Sequence, residues 1–531
     1  MSDYLIDGGQ GWQHPLMRDN PVFVTSFDIR DDMYEGLSLK ACEGHLGMSV
    51  VESSVPFDLD RPLTDEELDE TIFYCKHDVD ATERLVELRQ SYLQTKINLG
   101  RRVGISDEKA LSCTNAKLTA LMLNARRREW NDGRDYVYPP RLDVSIIPQE
   151  ILDFFDTIHD KSIPDEVLFK TALTYMFGDF PCRYAWCGVH GSVKGYHGKA
   201  TAKRVIQNRD VSSLYPSLLE LFQYLSRNVP DPHVFYNIRK ERIQAKHDGN
   251  DQLAKDLKLP LNTVSGAQEN RYNDLYDPLI TRSMRIAGQL FLTMLLVQLL
   301  QACKSIVLLN FNTDGLMYEI DADEVPIVDS VCAAWEQTTG FELELDEIDE
   351  VWIKDVNNLI LRKTNGKVKS VGSYVSYGAT SKGAWQINNS MVIVKKALID
   401  YFTKGVPVRE TIMNSTDIMD FQIIAKAGSS YDGVVQKIGN REVQVQRVNR
   451  VYAVDPFKDR LWFGTLYALQ GESYKKIGNI PDHCLVDNDN HLSLDEIDRE
   501  WYIATTEKRI MDFLGEKRRR NTRRVNSIMK N

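Results

Sequence analysis

This 531-residue sequence contains few cysteines and has no excess of positive charge. Its eight cysteines are scattered, and Cys182, Cys187 and the nearby His190 lack the second pair of ligands that a zinc site needs. We therefore expect reduced thiols in an intracellular protein. The net charge of −11 argues against a general nucleic-acid binder, but it does not exclude a local basic groove.

Long apolar runs are missing as well. No N-terminal apolar segment resembles a signal peptide. The most apolar run, residues 290–300, is shorter than the roughly 20 residues that a transmembrane helix needs. The apolar and charged fractions, 43% and 27%, are typical of a soluble globular chain with several domains. We expect no association with a membrane.

Residues 210–217 have the sequence DVSSLYPS and predict a strand, a tight turn and a helix. The apolar pair at 205–206 begins the strand, Asp210 lies at its end, and Pro216 interrupts the pattern before a further apolar run. A carboxylate at this position can hold a divalent cation, and the N–H groups of residues 212–215 can face a phosphate. The alternative is an ordinary turn whose aspartate caps the helix.

A second acid, Asp314, lies in the sequence NFNTDGLMY at 310–318. Apolar residues at 305–309 and 316–320 predict two strands joined by a polar turn. Two acids from separate strands can hold two Mg²⁺ ions roughly 3.5–4 Å apart, as in-line phosphoryl displacement requires. By itself, such a turn is more often a solvated hairpin tip.

Between these acids, residues 258–266 read KLPLNTVSG. The ordered set DxxSLYPS, KxxxN(S/T)xxG and (D/N)TDG resembles motifs A, B and C of family B DNA polymerases, and in particular those of bacteriophages. The resemblance extends over most of the chain.

The resemblance implies an α/β (α+β) fold with the palm, fingers and thumb of a right-hand polymerase, preceded by a truncated ribonuclease H-like exonuclease remnant. In chain order, the implied segments are the exonuclease remnant (1–100), a helical bridge (101–184), a first palm segment with motif A (185–230), fingers with motif B (231–280), a second palm segment with motif C and a primer-grip hairpin (281–384), and a thumb with a basic tail (385–531).

The resemblance also implies roles for motifs A and C. Asp210 and Asp314 would be the catalytic acids and would hold two Mg²⁺ ions, or Mn²⁺ in their place, with the Val211 carbonyl as a third ligand. Tyr215 would pack under the deoxyribose and exclude a 2′-hydroxyl; a packed aromatic without this role is the alternative. The nucleotide would contact Ser212, Ser213, Leu214 and Tyr215.

Residues 234–246 and 251–268 predict two helices joined by a short turn. Cationic and amide side chains recur on one face of each helix. A pair of helices with such faces can bind a triphosphate. Basic helix faces are, however, usually only solvated. The residues implied to bind the nucleotide are Arg239, Arg242, Lys258 and Asn262.

Two positions depart from the family pattern. Asn312 stands where an aspartate is common, so it offers an oxygen without a charge. Pro260 falls within motif B, where a proline in a helix interior costs about 3 kcal/mol. We expect activity to survive the first change, and the second raises the question of whether the helix is intact.

Three further segments resemble DNA contacts of the family. The glycine-rich residues 188–199 are similar to a template-contacting loop, and a plain glycine turn is the alternative. Lys354 is similar to a primer-grip lysine, although the accompanying tyrosine is absent. A basic run near the C terminus would meet duplex phosphates, unless it is a disordered tail. The residues concerned are His190, Gly191, Lys194, Lys354, Arg518, Arg519 and Arg520.

A helix is expected from Thr64 onward. Within it, Tyr74 and Asp78 share one face and resemble the third motif of a 3′–5′ exonuclease, although a helix face without a catalytic role is the alternative. No Asp-x-Glu occurs before residue 60. We therefore expect a chain that begins inside its exonuclease domain and lacks proofreading. Helical spacing is also expected at 110–128, 282–304, 385–402 and 507–530.

Together these patterns predict a DNA-directed DNA polymerase, a nucleotidyltransferase that extends a primer with deoxynucleotides in phage or prophage replication. Its partners would be primed template DNA, dNTPs and phage replication proteins, in the cytoplasm of a bacterial host. One alternative is an inactive prophage remnant that binds primed DNA without catalysis. Another is a different two-metal enzyme, such as a nuclease or an RNA polymerase.

Overall fold

The structure is a computed structural model that describes residues 4, 9, 13–15, 27–30, 33, 37–56, 59–377, 389–455 and 463–516. The chain combines helices with antiparallel sheets, in agreement with the α+β expectation. It divides into two compact units. Unit 1 comprises Met1–Asp32, Gln90–Arg128 and Asn228–Tyr276, and unit 2 comprises Met33–Arg89, Glu129–Arg227 and Asp277–Asn531. The palm, fingers and thumb boundaries stay predictions.

The α-helices of the described residues are α1 Leu39–His45, α2 Asp65–Leu88, α3 Gln90–Arg102, α4 Asp107–Ser112, α5 Asn115–Met122, α6 Gln149–Asp156, α7 Asp165–Leu168, α8 Leu214–Leu221, α9 His233–His247, α10 Asp251–Ala267, α11 Pro278–Ala302, α12 Val325–Thr339, α13 Val392–Lys404, α14 Val408–Asn414 and α15 Arg499–Phe513.

The strands of the described residues are β1 Ala172–Phe177, β2 Phe180–Ala185, β3 Gly188–Ser192, β4 Tyr196–Lys199, β5 Arg204–Val211, β6 Val307–Phe311, β7 Gly315–Asp321, β8 Leu343–Asp355, β9 Asn358–Lys363, β10 Val368–Val371, β11 Ile423–Lys426, β12 Gly433–Ile438, β13 Arg441–Val445, β14 Val448–Ala453, β15 Thr465–Gln470, β16 Ser473–Lys476 and β17 Cys484–Val486.

Unit 1 is helical. Its helix α10 packs against α9, α5 and α3 and buries Leu257, Leu261 and Val264, which recur at helical spacing. The two helices predicted at 234–246 and 251–268 are confirmed as α9 and α10. The single helix predicted at 110–128 is wrong, because the Thr114 side chain accepts a hydrogen bond from Lys117 N–H and starts α5 as a separate helix.

Unit 2 contains a ten-stranded sheet with the order β1-β2-β3-β6-β7-β5-β8-β9-β10, in which β4 also pairs with β8. Helix α11 confirms the prediction at 282–304 and packs against α8, α12 and β3. Among the described helices, α11 alone is long and apolar enough to cross a membrane, and 83% of its most apolar window is buried inside the protein. This burial is what the core helix of a globular fold shows.

The C-terminal region of unit 2 has two smaller sheets, β11-β14-β17 and β13-β12-β15-β16. These sheets share one apolar core with α13, α14 and α15. Helix α1 contacts β11 and β14, and the buried Arg450 donates hydrogen bonds to the carbonyls of Gly44 and Met48. The N-terminal segment 37–56 is therefore packed on the C-terminal core, a contact that the sequence did not predict.

Two predicted helices are only partly described. The prediction at 385–402 corresponds to α13, which begins at Val392, while residues up to 388 lie outside the described residues. The prediction at 507–530 corresponds to the second half of α15, and residues 517–531 lie outside the described residues.

Candidate active site

Strand β5 carries Asp210 at its next-to-last position, as the sequence predicted. The strand lies between β7 and β8, and in both pairings Asp210 has a direct partner, Gly315 on β7 and Glu344 on β8. Cross-strand partners point to the same face of a sheet. The carboxylate of Asp210 therefore shares a face with Glu344 and lies against the backbone of Gly315.

The hairpin that carries Asp314 is also confirmed, as β6 and β7 with a turn between them. Asn312 closes the turn because its N–H donates to Gly315 O at 3.0 Å and its side-chain oxygen accepts from Gly315 N–H at 2.8 Å. The Val211 N–H donates to Asp314 O at 2.7 Å. The hairpin tip is thus joined to the end of β5, and the two acids, 104 residues apart in the numbering, come together.

Gly315 is required at this contact. A Cβ added there would lie 2.0 Å from Asp210 Oδ1 and 2.5 Å from Arg209 O. Real Cβ atoms do not approach that closely, so any side chain at position 315 would displace the Asp210 carboxylate. The glycine of motif C therefore makes room for the aspartate of motif A.

Negative charge accumulates around Asp210. The residue is half-buried, whereas Asp314 is exposed. Burial raises the pKa of Asp210, and the charge of Asp314 raises it further. Asp346, which faces Asn208 across β5 and β8, adds to the rise, and Lys369 opposes it. A partly buried carboxylate pair of this kind favours a bound cation.

The donors at this point fit a hard divalent cation. Two carboxylates and nearby backbone carbonyls, including that of Val211, are the oxygen ligands that Mg²⁺ prefers. Among the residues that the structure describes, no cluster of three or more His, Cys, Asp or Glu side chains could hold a metal. A metal at this site would therefore depend on Asp210, Asp314 and backbone or solvent oxygens.

The turn after β5 positions the residues predicted to bind the nucleotide. Ser212 N–H donates to Glu342 O at 2.8 Å, so this N–H is already used inside the protein. Ser213 has a left-handed conformation with φ 53° and precedes α8. The N–H groups of Leu214 and the half-buried Tyr215 lie in the first turn of that helix, where no earlier helical carbonyl can accept them.

The cations predicted to bind the triphosphate lie in unit 1. Lys258 and Asn262 are exposed on one face of α10, and Arg239 is half-buried on α9. Arg242 donates from Nε to Ala254 O at 3.2 Å, and burial lowers its pKa. Some of its guanidinium is therefore engaged in packing α9 on α10.

Helix α10 continues through Pro260, which is buried in its interior. The proline removes one N–H from the helix, yet the helix remains intact from Asp251 to Ala267.

Two carboxylate positions were missed by the sequence reasoning. Buried Asp256 accepts hydrogen bonds from Thr95 at 2.6 Å and Asn98 at 2.7 Å on α3, and this contact sets the rotation of α10 that exposes Lys258. Glu344 was missed because it lies in an ordinary alternating strand, and its position opposite Asp210 depends on the strand order and on the register of β5 and β8. In that strand, the alternation of acids and leucines at 342–346 was the one available signal.

Most of the segment 188–199, predicted to be a template-contacting loop, forms two strands, and Lys194 lies in the bend between them. Residues 188–192 form β3 and 196–199 form β4, because glycine at 191 lets the backbone approach Pro181 O, which an added Cβ would meet at 2.7 Å. His190 and Lys194 are exposed. Burial lowers the pKa of His190 and the charge of Asp314 opposes this, so the imidazole is within electrostatic reach of the hairpin that carries Asp314.

Lys354 lies beside the same segment. Its carbonyl accepts a hydrogen bond from Gly195 N–H at 3.2 Å, and its ammonium pairs with Asp355 and lies 4.6 Å from the ring centre of Tyr374. Gly195 also touches Gly515, where an added Cβ would meet Cα at 2.4 Å. The described chain therefore ends next to Lys194. Arg518, Arg519 and Arg520 follow this point but lie outside the described residues.

Tyr74 and Asp78 share a face of α2, which begins with the predicted capping box at Thr64. The Lys40 ammonium contacts the carboxylates of Asp78 and Glu43 and lies 4.5 Å from the ring centre of Tyr74. Burial raises the pKa of Glu43 despite this lysine. A cation supplied by the chain itself therefore lies between these two carboxylates.

Comparison with known proteins gives a distant structural likeness. No protein-family model matches the sequence, and no curated protein matches it. The structure is similar to that of the family B DNA polymerase from the hyperthermophilic archaeon Pyrobaculum calidifontis, with 12% identity and a TM-score of 0.42. The match covers 92% of this chain and 63% of that polymerase. At this TM-score the likeness carries no argument about function.

Proposed function

We propose that the protein is a template-directed DNA polymerase that adds deoxynucleotides to a primer 3′-hydroxyl. The observation that carries the proposal is the junction of β5 with the Asp314 hairpin through the Val211–Asp314 hydrogen bond. It brings together the two acids of motifs A and C. The resemblance of motifs A, B and C to family B polymerases supports the choice of reaction.

In this proposal, Asp210 and Asp314 hold Mg²⁺, or Mn²⁺ in its place, and Gly315 keeps the space for the Asp210 carboxylate. When bound, the ions would make the primer 3′-hydroxyl more acidic and neutralise the charge on the triphosphate and the leaving pyrophosphate. Burial and the charge of Asp314 raise the pKa of Asp210, and a bound cation would stabilise the ionised pair.

The chain itself would bind and orient the nucleotide. Lys258 supplies a point charge and Arg239 a forked donor for the triphosphate, both suited to phosphate oxygens. N–H donors at the start of α8 would meet a phosphate in the same way. The ring of Tyr215 would exclude the 2′-hydroxyl of a ribonucleotide.

The DNA would lie along the segment formed by His190, Gly191, Lys194 and Lys354. The exposure of His190 and Lys194 supports this choice. Phosphate contacts of this kind depend on salt concentration. A role in phage or prophage replication in a bacterial cytoplasm, with phage replication proteins as partners, belongs to the same proposal.

Primer extension tests the proposal directly. A labelled primer on a longer template should be extended with Mg²⁺ and dNTPs, hardly at all with rNTPs, and not by Asp314→Ala. Binding of primed DNA without extension would favour the inactive remnant. Extension with rNTPs alone would favour an RNA polymerase, and degradation of the primer would favour a nuclease.

Proofreading is proposed to be absent. The contacts of Lys40 with Asp78 and Glu43 support this, because the carboxylates already have a cation. Incubation of a labelled single-stranded oligonucleotide with Mg²⁺ should leave its 3′ end intact. Trimming that disappears in Asp78→Ala would contradict the proposal.

A further inference from the structure

Two loops of unit 1 lie together, and both carry exposed arginine side chains. The first follows α5 and contains Arg126, Arg127 and Arg128, and the second follows α10 and contains Arg271 and Tyr272. Arg127 Nη1 donates to the carbonyls of Arg271 and Asn273, at 3.0 Å for the latter. We call the exposed residues Arg126, Arg128, Arg271 and Tyr272 of these two joined loops the arginine–tyrosine patch.

A buried asparagine fixes the two loops to one another. Asn228 O accepts from Arg126 N–H at 2.8 Å. Its side-chain amide donates to Asp274 O at 2.9 Å and to Tyr276 O at 3.0 Å. Asn228 is 1% exposed, so these bonds are shielded from water. The buried Asn228 therefore holds the two loops of the patch in place.

The patch is positive in a protein whose net charge is −11. Arg126 and Arg128 are exposed, and among the residues that the structure describes neither guanidinium has a carboxylate partner. Asp274 in the second loop is paired with Lys117 at 2.6 Å. The guanidinium groups of Arg126 and Arg128 are thus available to bind an anionic ligand outside the chain.

Tyr272 indicates which class of anionic ligand suits the patch. Its side chain is 80% exposed, and the Arg271 guanidinium lies 4.7 Å from the ring centre. An aromatic ring this exposed contributes little to a core. Exposed aromatic rings beside arginines are typical of surfaces on which unpaired bases stack while the cations meet the phosphates.

We propose that the arginine–tyrosine patch binds single-stranded nucleic acid. A duplex would offer phosphates to the arginines, but its stacked bases would leave the Tyr272 ring without a partner. The assignment of the strand as the unpaired template of a primed DNA rests on the proposed function. The polymerase motifs do not include any residue of this patch.

Fluorescence anisotropy with labelled primed DNA tests the proposal. One substrate carries a 5′ template overhang of about ten nucleotides, within the span of known single-strand sites, and the other is blunt. Tyr272→Ala should weaken binding of the overhang substrate about tenfold, as expected for loss of one stacked base. Binding of the blunt duplex should not change.

The arginines are tested by their salt dependence. On the overhang substrate, log affinity falls as log salt rises, with a slope of about −0.7 for each phosphate contact on a single strand. The double variant Arg126→Ser and Arg128→Ser should make this slope less steep by about 1.4. Arg101→Ser is a matched control, because this exposed arginine of unit 1 is paired with Asp107. Circular dichroism should show that every variant is folded.

Two results would overturn the proposal: equal binding of overhang and blunt substrates by the unaltered protein, or variants that bind the overhang as tightly as that protein does. Primer extension in the same preparation separates the two ideas. An unaltered protein that binds the overhang through the patch but extends no primer supports the patch and contradicts the polymerase. Normal primer extension by the unaltered protein, together with patch variants that bind the overhang as tightly as it does, supports the polymerase and contradicts the patch.

Discussion

Replacement of Asp314 by asparagine should stabilise the protein and abolish its polymerase activity. Asp210 is half-buried, and both burial and the charge of Asp314 raise its pKa. A carboxyl whose pKa is raised in the folded state favours folding below its ordinary pKa, and this contribution is lost as the pH rises through the raised value. Near neutral pH the ionised pair therefore destabilises the fold, and removal of one charge relieves it.

The size of the effect follows from Coulomb's law. Two like unit charges about 4 Å apart repel by about 1 kcal/mol in bulk water and by about 4 kcal/mol at an effective dielectric constant of about 20. For a protein of this size, each kcal/mol of change in the free energy of unfolding shifts the Tm by about 2 °C or less. We therefore expect the Tm of Asp314→Asn to rise by about 1–5 °C in metal-free buffer. Asp179→Asn, an exposed aspartate between β1 and β2, is the control and should leave the Tm unchanged.

The same melting assay with Mg²⁺ tests the metal site. A ligand that binds only the folded state at a hundredfold excess over its Kd adds about 2.7 kcal/mol. Mg²⁺ should therefore raise the Tm of the unaltered protein but hardly that of Asp314→Asn. A variant that melts lower than the unaltered protein, or that responds to Mg²⁺ as strongly, would refute the reasoning.

Three further perturbations have defined outcomes. Arg227→Ala should lower the free energy of unfolding by about 3–5 kcal/mol in urea titrations, because fully buried Asp277 loses its ion-pair partner; a loss below 1 kcal/mol would contradict this. Burial, with the charges of Lys395 and Arg450, lowers the pKa of His45 to about 4, so stability should fall by up to about 3 kcal/mol between pH 6.5 and 4. His45→Gln should flatten that dependence, and an unchanged slope would count against it. Tyr215→Ala should incorporate ribonucleotides in primer extension, whereas unchanged sugar discrimination would remove its assigned role.

The local elements of the site could be predicted from the sequence. Alternation and turn residues predicted the strand that carries Asp210 and the hairpin that carries Asp314, because both depend on neighbouring residues. The helix expected at 110–128 failed for an equally local reason. Apolar spacing continues through the stretch, but the capping hydroxyl of Thr114 begins a new helix, and capping outweighed periodicity.

The convergence of the site could not be predicted from the residues alone. Strand β5 is paired with β7 and β8, both of which come more than a hundred residues later in the chain. Register along these pairings decides that Gly315 and Glu344 face Asp210, and a shift of one residue would turn the acid to the other face. No local pattern carries that information. The motif resemblance supplied the pairing of the two acids but not the position of Glu344 opposite Asp210.

Two acid pairs in unit 2 differ in how their charge is neutralised. At Asp78 and Glu43, the Lys40 ammonium contacts both carboxylates, so a divalent cation would have to displace a lysine that is itself buried. At Asp210 and Asp314, no lysine or arginine of the described residues forms an ion pair with either acid. Partly buried carboxylates without such a partner destabilise the fold unless an external cation binds. This contrast, together with the space kept by Gly315, is why a metal is expected at the second pair and not at the first.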